Sequence, residues 1–343
     1  MQRPILDPMF LDDAPRPSVP SRWKVGFLLV ARSARLCGRL LLRQYRLRRR
    51  ESILRVEDGT LVGRLIRAIL YRALFVPMLL VGLALLQVYI GMHPRLSVGT
   101  LDPSSRDVYF EPVRLTSDDG VSSDAWLAPG IEPGRVLADG DNLLKRKRPA
   151  VVMVHDLLGS RQQFLPLIRA LHDRELVTLT IAPRGVGTSQ TAPVTFGWDE
   201  SRDIRAAVEL LRKRVSVDPA RITLIGVGTG ANACLRFVES DKSMTSLVLI
   251  DTWDNSDERL AAHFVPRRWM SPLQPICKWA FELWYGVTAD ELNVAHYQPL
   301  LTAGRVLQLK DSNDWLHDPR EIDRIARFCE DRAIRQVSVN AQD

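Results

Sequence analysis

Cysteine is scarce: Cys37, Cys234, Cys277 and Cys329 are the only four in 343 residues, and no two share a C-x-x-C spacing. That excludes a disulfide-stapled scaffold and a cysteine zinc site. Internal repeats and low-complexity tracts are absent, and with apolar residues at 46% the composition is neither disordered nor collagen-like. A chain of this length accommodates one α/β domain of about 250 residues with an extension. Acidic residues are what the first 72 positions lack, with 6 Asp or Glu against 16 Lys or Arg, while the remainder carries 34 against 31. The net charge of +7 therefore belongs to a basic head joined to a mildly acidic body, and nucleic acid is not an expected partner.

Charge of either sign is missing from Ala73 to Met92, a run of 20 residues that reads ALFVPMLLVGLALLQVYIGM. About 20 apolar residues suffice for a helix to cross the hydrocarbon core, and this run is apolar on every face, unlike a core helix. Tyr71 and Tyr89 lie near its ends, where amphipathic rings favour the lipid interface. Some 70 residues precede the run, far more than the leader of a cleaved signal peptide. Arg55, Arg64, Arg67 and Arg72 flank it on the N-terminal side against Arg95 and Arg106 beyond. The positive-inside tendency then predicts a single-pass membrane protein with a cytoplasmic N-terminus and a body on the non-cytoplasmic side. Upstream, Arg32, Arg35, Arg39, Arg43 and Arg46 recur at helical spacing on one arc. This is either an amphipathic helix lying on anionic lipid or a solvated tail that enforces topology.

Beyond the apolar run, two alternating segments around Asp119-Gly120 predict a β-hairpin. Gly130 to Pro149 is a Gly-, Pro- and charge-rich loop, after which short apolar runs alternate with helical periodicities. The runs are Ala150 to Val154, Leu176 to Ala182, Ile222 to Val227, Ser246 to Ile250 and Arg305 to Leu309. The helices fall at Arg161 to His172, Asp199 to Arg214, Ala231 to Ser240 and Pro319 to Cys329, and Ala333 to Val339 is a candidate edge strand. Such alternation predicts an α/β fold with a mostly parallel sheet covered by helices on both faces. In such a sheet the chemistry is sought in the turns after the strands.

Four of those turns carry a resemblance. His155-Asp156-Leu157-Leu158-Gly159 resembles the H-G-x-x-G oxyanion loop of the α/β-hydrolase superfamily, and Pro183-Arg184-Gly185-Val186-Gly187-Thr188-Ser189 its D-x-R-G-x-G-x-S turn. Gly226-Val227-Gly228-Thr229-Gly230 stands at the G-x-S-x-G nucleophile elbow, and Asp314 where the family places its acid. The resemblance covers roughly residues 107 to 339, and together with the charge and hydropathy pattern it divides the chain into three parts. These are a basic N-terminal region with the amphipathic helix over 1–72, a transmembrane helix over 73–92, and an α/β-hydrolase-like domain over 93–343. Its cap lies at about 256–300.

The resemblance fails at the chemistry. Acyl transfer in this family needs a nucleophile on the elbow, a histidine base, an orienting acid and backbone N–H donors for the oxyanion. The nucleophile position is Gly228, which has no side chain, and Thr229 stands where the family uses a backbone N–H. None of the six histidines, His93, His155, His172, His263, His296 and His317, lies in the last 26 residues, where the resemblance implies the base. Asp156 replaces the glycine of H-G, and a carboxylate pointing inward there would oppose a developing oxyanion.

Asp314 reads as a residual acid or as a turn residue, and His317, three positions on, as a substitute base or a surface histidine. Arg184 reads as structural. His155 and Asp156 lack a third metal ligand, and the glycine turn lacks the G-x-G-x-x-G spacing of a nucleotide loop, so no metal and no cofactor is expected. Met270 to Tyr285 falls where the family inserts its lid and is either a pocket roof or a partner surface.

The expected function is a membrane-anchored protein without serine-hydrolase activity that binds a small apolar ligand or a protein. Membrane lipid is expected at the anchor and the basic N-terminal region. The sequence also admits two alternatives. One is an active hydrolase of a lipid or other ester using Asp314, His317 and an activated water; the other is a structural membrane component.

Overall fold

The computed structural model describes residues 43, 61–94, 99–132, 134–135, 145–244, 246–303, 305–309, 318–331 and 337–339. Contacts divide the chain into two units, 1–62 and 63–343, and the second holds the fold described here. The predicted basic helix, apart from Arg43, lies outside the described residues, as do Asp314 and His317.

Helix α1 spans Leu61–Gly91, so the uncharged run from Ala73 forms its C-terminal two thirds. Its segment Gly63–Gly91, whose most apolar 18-residue stretch has mean hydropathy 2.3, is long and apolar enough to cross a membrane. Most of its side chains are exposed, including Leu70, Leu74, Leu79 and Leu83, which a core helix would bury. Ala84, Val88 and Met92 are the exception: spaced by four on one face, they are fully buried in the domain.

Strands β1 (Glu111–Thr116) and β2 (Ser122–Ala128) form the expected antiparallel hairpin. β3 (Arg148–Val154), α2 (Leu165–His172), β4 (Val177–Ala182), α3 (Glu200–Lys213), β5 (Val217–Val227), α4 (Thr229–Ser240) and β6 (Ser246–Ile250) then alternate. The cap follows as α5 (Ser256–Phe264), α6 (Gln274–Tyr285) and α7 (Gln298–Ala303), with short 3-10 turns between them. β7 (Arg305–Leu309), α8 (Pro319–Glu330) and β8 (Val337–Val339) complete the domain.

The eight strands form one sheet in the order β1-β2-β4-β3-β5-β6-β7-β8, parallel from β4 to β8 with the hairpin antiparallel at one edge. Alternate residues of β3 separate the two cores. Ala150, Val152 and Val154 pack with α3 and α4 through Ile204, Val208 and Leu235. Val151 and Met153 pack with α2, the 3-10 turn that precedes it and α8 through Ile168, Phe164, Ile325 and Phe328. Helix α3 is positioned by its own sequence: its buried face includes Ile204, Ala207, Val208 and Leu211, acids open its first turn and Arg212 and Lys213 close its last.

A third cluster lies over the carboxyl ends of the parallel strands. It joins Leu157, Val186 and Val194 of the strand-end loops to Phe264, Cys277 and Phe281 of the cap and to Ala84, Val88 and Met92 of α1. The apolar end of α1 is thus part of the domain's packing. Its last carbonyls, which a helix cannot pair internally, accept from the domain: Val194 N–H donates to Met92 O at 2.9 Å and His263 Nε2 to Gly91 O at 2.9 Å.

Candidate functional site

β5 is parallel to β3 and β6 and runs straight into α4, so the turn between β5 and α4 must reverse direction within a residue or two. Gly228 makes that turn with φ +53° and ψ −115°, a left-handed conformation that costs glycine little and a serine more. Its N–H donates to Ile250 O at 2.9 Å, and its carbonyl accepts from Ala231 N–H at 3.0 Å, opening the helix. The elbow is therefore intact although nothing projects from it.

The vacancy is filled from the neighbouring loop. A Cβ placed on Gly228 would stand 2.2 Å from Asp156 Oδ1 and 2.6 Å from its Cγ. The same Oδ1 accepts the Thr229 N–H at 2.8 Å. Asp156 thus points inward, and its carboxylate sits at the N-terminus of α4, where the helix dipole and a free backbone donor favour an anion. That donor is the one the resemblance assigns to the oxyanion hole. A second negative charge about 4 Å away would be opposed by about 4 kcal/mol at an effective dielectric of 20.

His155, Asp156, Leu157, Gly228 and Thr229 lie close together around this turn. His155 is buried and donates from Nδ1 to Asp156 O at 2.7 Å, which fixes its neutral tautomer. Burial pushes its pKa down to about 4. An unfolded histidine titrates near 6.5, so between these values the unfolded chain takes up the proton first and stability falls as pH drops. Above pH 6.5 this contribution is constant. The wild type should lose about 2 kcal/mol, or about 5 °C of thermal midpoint, between pH 7 and pH 5 relative to His155→Asn. Parallel melting curves for the two proteins would refute this reading of His155.

Sequence reasoning missed what closes the cleft. Phe196, buried with a positive φ of 55°, packs on Trp253, His263, Phe264 and Phe281 at centroid distances of 5.0 to 5.8 Å. Glu200 holds its loop, accepting from Thr195 N–H at 2.8 Å, Thr195 Oγ1 at 2.9 Å and Gly197 N–H at 2.8 Å. Burial pushes the Glu200 carboxyl up, against the pull of those donors. Burial also lowers the His263 imidazole, opposed by the carbonyl of Gly91 and the charge of Asp156. A short T-x-x-x-x-E loop before an amphipathic helix was a local signal for the Glu200 contacts; the ring contacts of Phe196 have none.

With these side chains in place, the cavity over the elbow, bounded by His155, Leu157, Val194 and Thr229, is about 10 Å³, room for about one water. A larger cavity of about 240 Å³ lies in the cap between α5 and α6, with Leu260, Phe264 and Cys277 inside and Lys278 paired with Asp257 at its rim. Cys234, Cys277 and Cys329 are buried, unbonded thiols.

No family model matches the chain. Two curated relatives are the uncharacterized protein YfhR of Salmonella typhi, 23% identical over 202 residues, and the uncharacterized protein Rv2307c of Mycobacterium tuberculosis, 29% identical over 168. These alignments cover 54% and 49% of this chain, which spans 65% and 53% of the respective relatives' lengths. Among solved structures, the Pyrococcus furiosus esterase Pf2001 is 18% identical with a TM-score of 0.48, covering 69% of this chain and 97% of that one. The α/β-hydrolase GrgF from a Penicillium species is 14% identical with a TM-score of 0.45, covering 65% and 98%. By its mostly parallel eight-stranded sheet, the helices on both faces and the turn at Gly228, the chain has an α/β-hydrolase-like fold.

Proposed function

We propose that this chain is a membrane-tethered α/β-hydrolase-like protein that has given up acyl-enzyme chemistry and acts by binding. The observation that carries the reading is the Asp156 carboxylate, which occupies the space of the missing nucleophile and takes the Thr229 N–H. A carboxylate in that position acts as a built-in oxyanion, so the electrostatic term on which acyl transfer depends is already used. The nearly filled cleft supports the same reading and moves the expected ligand or partner contact to the cap, where the larger cavity lies. Helix α1 serves as a single-pass anchor, with the basic N-terminus on the cytoplasmic side and the domain on the other, as the arginine asymmetry favours.

The test is a fluorophosphonate label and a short-chain ester assay on detergent-solubilised protein, run on wild type, Gly228→Ser and Gly228→Ser/Asp156→Gly. Wild type and Gly228→Ser should be silent, the second because its side chain meets the Asp156 carboxylate. Any gain of labelling should require the double variant, which frees the Thr229 N–H. Turnover by the wild type that survives purification and is lost on Asp156→Asn would sink the proposal and make Asp156 a reacting group.

A further inference from the structure

Along α1, the eleven residues from Ala73 to Leu83 separate the last arginine, Arg72, from Ala84, the first residue fully buried in the domain. At 1.5 Å per residue they measure about 16 Å, while the hydrocarbon core of a bilayer is about 30 Å thick. If α1 spans, as proposed above, the missing length must come from the segment Ala84 to Met92, which brings its uncharged run to the required 20 residues. That segment is the one the cap packs against: Cys277 Sγ of α6 lies 3.9 Å from Ala84 O, and His263 of α5 reaches Gly91 O. The outward face of the same segment stays apolar and open at Leu86 and Ile90. The cap therefore stands at membrane depth.

Its surface is suited to that depth. Helix α6 buries Cys277, Ala280 and Phe281, while Trp279 and Leu283, four residues apart on its outer face, are 54% and 69% exposed. Trp269, in the 3-10 turn before α6, is 73% exposed and follows two exposed arginines, Arg267 and Arg268. Exposed tryptophan beside arginine and leucine is costly in water and favourable between acyl chains and headgroups. We propose that the outer face of the cap, carried by Trp269, Trp279 and Leu283, is seated in the interfacial layer of the leaflet into which α1 emerges. The partner of this surface is phospholipid, and the domain is held to the bilayer at two places. This inference rests on α1 being a membrane span.

The experiment uses the full chain with Cys37→Ser, since the other three cysteines are buried, reconstituted in phosphatidylcholine–phosphatidylglycerol vesicles with and without brominated acyl chains. One environment-sensitive thiol dye is placed in turn at Trp279→Cys, Leu283→Cys, Leu74→Cys within α1, and Val215→Cys. Val215 is 71% exposed between α3 and β5, at the opposite end of the sheet. Emission from the labels at 279, 283 and 74 should fall about twofold or more in brominated vesicles, with the label at 215 unchanged. Quenching at 74 with 279 and 283 behaving like 215 overturns the cap proposal and leaves the anchor standing. No quenching at 74 overturns both. Labels at 279 and 283 that are shielded from aqueous iodide yet unquenched by bromolipid also overturn it, and mark a protein-covered face.

Discussion

Arg184→Leu should lower the thermal midpoint of the detergent-solubilised protein by roughly 10 °C, corresponding to about 3 to 5 kcal/mol for a buried ion pair broken from one side. Arg184 is almost wholly buried between two carboxylates. Its guanidinium pairs with Asp119 of the β1–β2 turn and, at 2.9 Å, with Asp203 of α3. Its own N–H donates to Asp203 Oδ2 at 2.8 Å, and Ser117 Oγ donates to Oδ1 at 2.6 Å. Burial works against the charge on Arg184, but Asp203 and Asp119 outweigh it and hold its pKa above the ordinary value. Burial likewise pushes the Asp119 carboxyl up, and the hydrogen bond and charge of Arg184 hold it below the usual carboxylate range. Losing the cation leaves Asp203 buried and charged, which is the source of the large effect. Arg184→Leu/Asp203→Asn should therefore be less damaged than the sum of the single variants. A loss under about 1 kcal/mol for Arg184→Leu would show that the network is solvated and expendable.

The second large effect is expected at Gly230. A Cβ there would stand 2.4 Å from Val154 O and 2.9 Å from His155 O. Both obstacles are backbone, so relief requires α4 to move off β3, and Gly230→Ala should cost about 3 kcal/mol or more. Gly187 provides the control: its φ is +62°, but nothing lies within 4 Å of an added Cβ. Gly187→Ala should then cost only the backbone strain, about 1 kcal/mol. Equal melting shifts for the two variants would mean that the elbow is looser than its contacts indicate.

The same elbow marks how far the sequence could be read. Ser246–Ile250 and Arg305–Leu309 are strands with the bounds their apolar runs predict, because polar or turn-forming residues stop both runs. β5 begins at Val217 rather than Ile222, since the V-D-P-A-R stretch breaks the apolar pattern while Val217 still pairs with Arg148 across a bulge. Helix α1 starts twelve residues before the uncharged run, because charge marks a membrane boundary whereas arginine continues a helix readily.

At the site, the empty nucleophile position was legible, but the direction of the Asp156 side chain was not. Inward and outward rotamers are compatible with the same sequence, and only the donor at Thr229 selects one. Phe196, His263, Val88 and Met92 close the cleft through contacts between residues far apart in the chain. No local pattern encodes such contacts. Asp314 and His317 lie outside the described residues.

The carbonyls at the end of α1 are fastened to the domain by Val194 and His263, and Ala84, Val88 and Met92 are embedded beside them. This helix has no hinge where it meets the body. Helices longer than the local bilayer tilt to shorten their projection. In a membrane-spanning α1, any tilt of its docked segment Ala84 to Met92 would swing the whole sheet through the same angle. The direction in which the cap cavity opens would then report on bilayer thickness, and a change from a thin membrane to a thick one would reorient the domain with no change in its internal contacts.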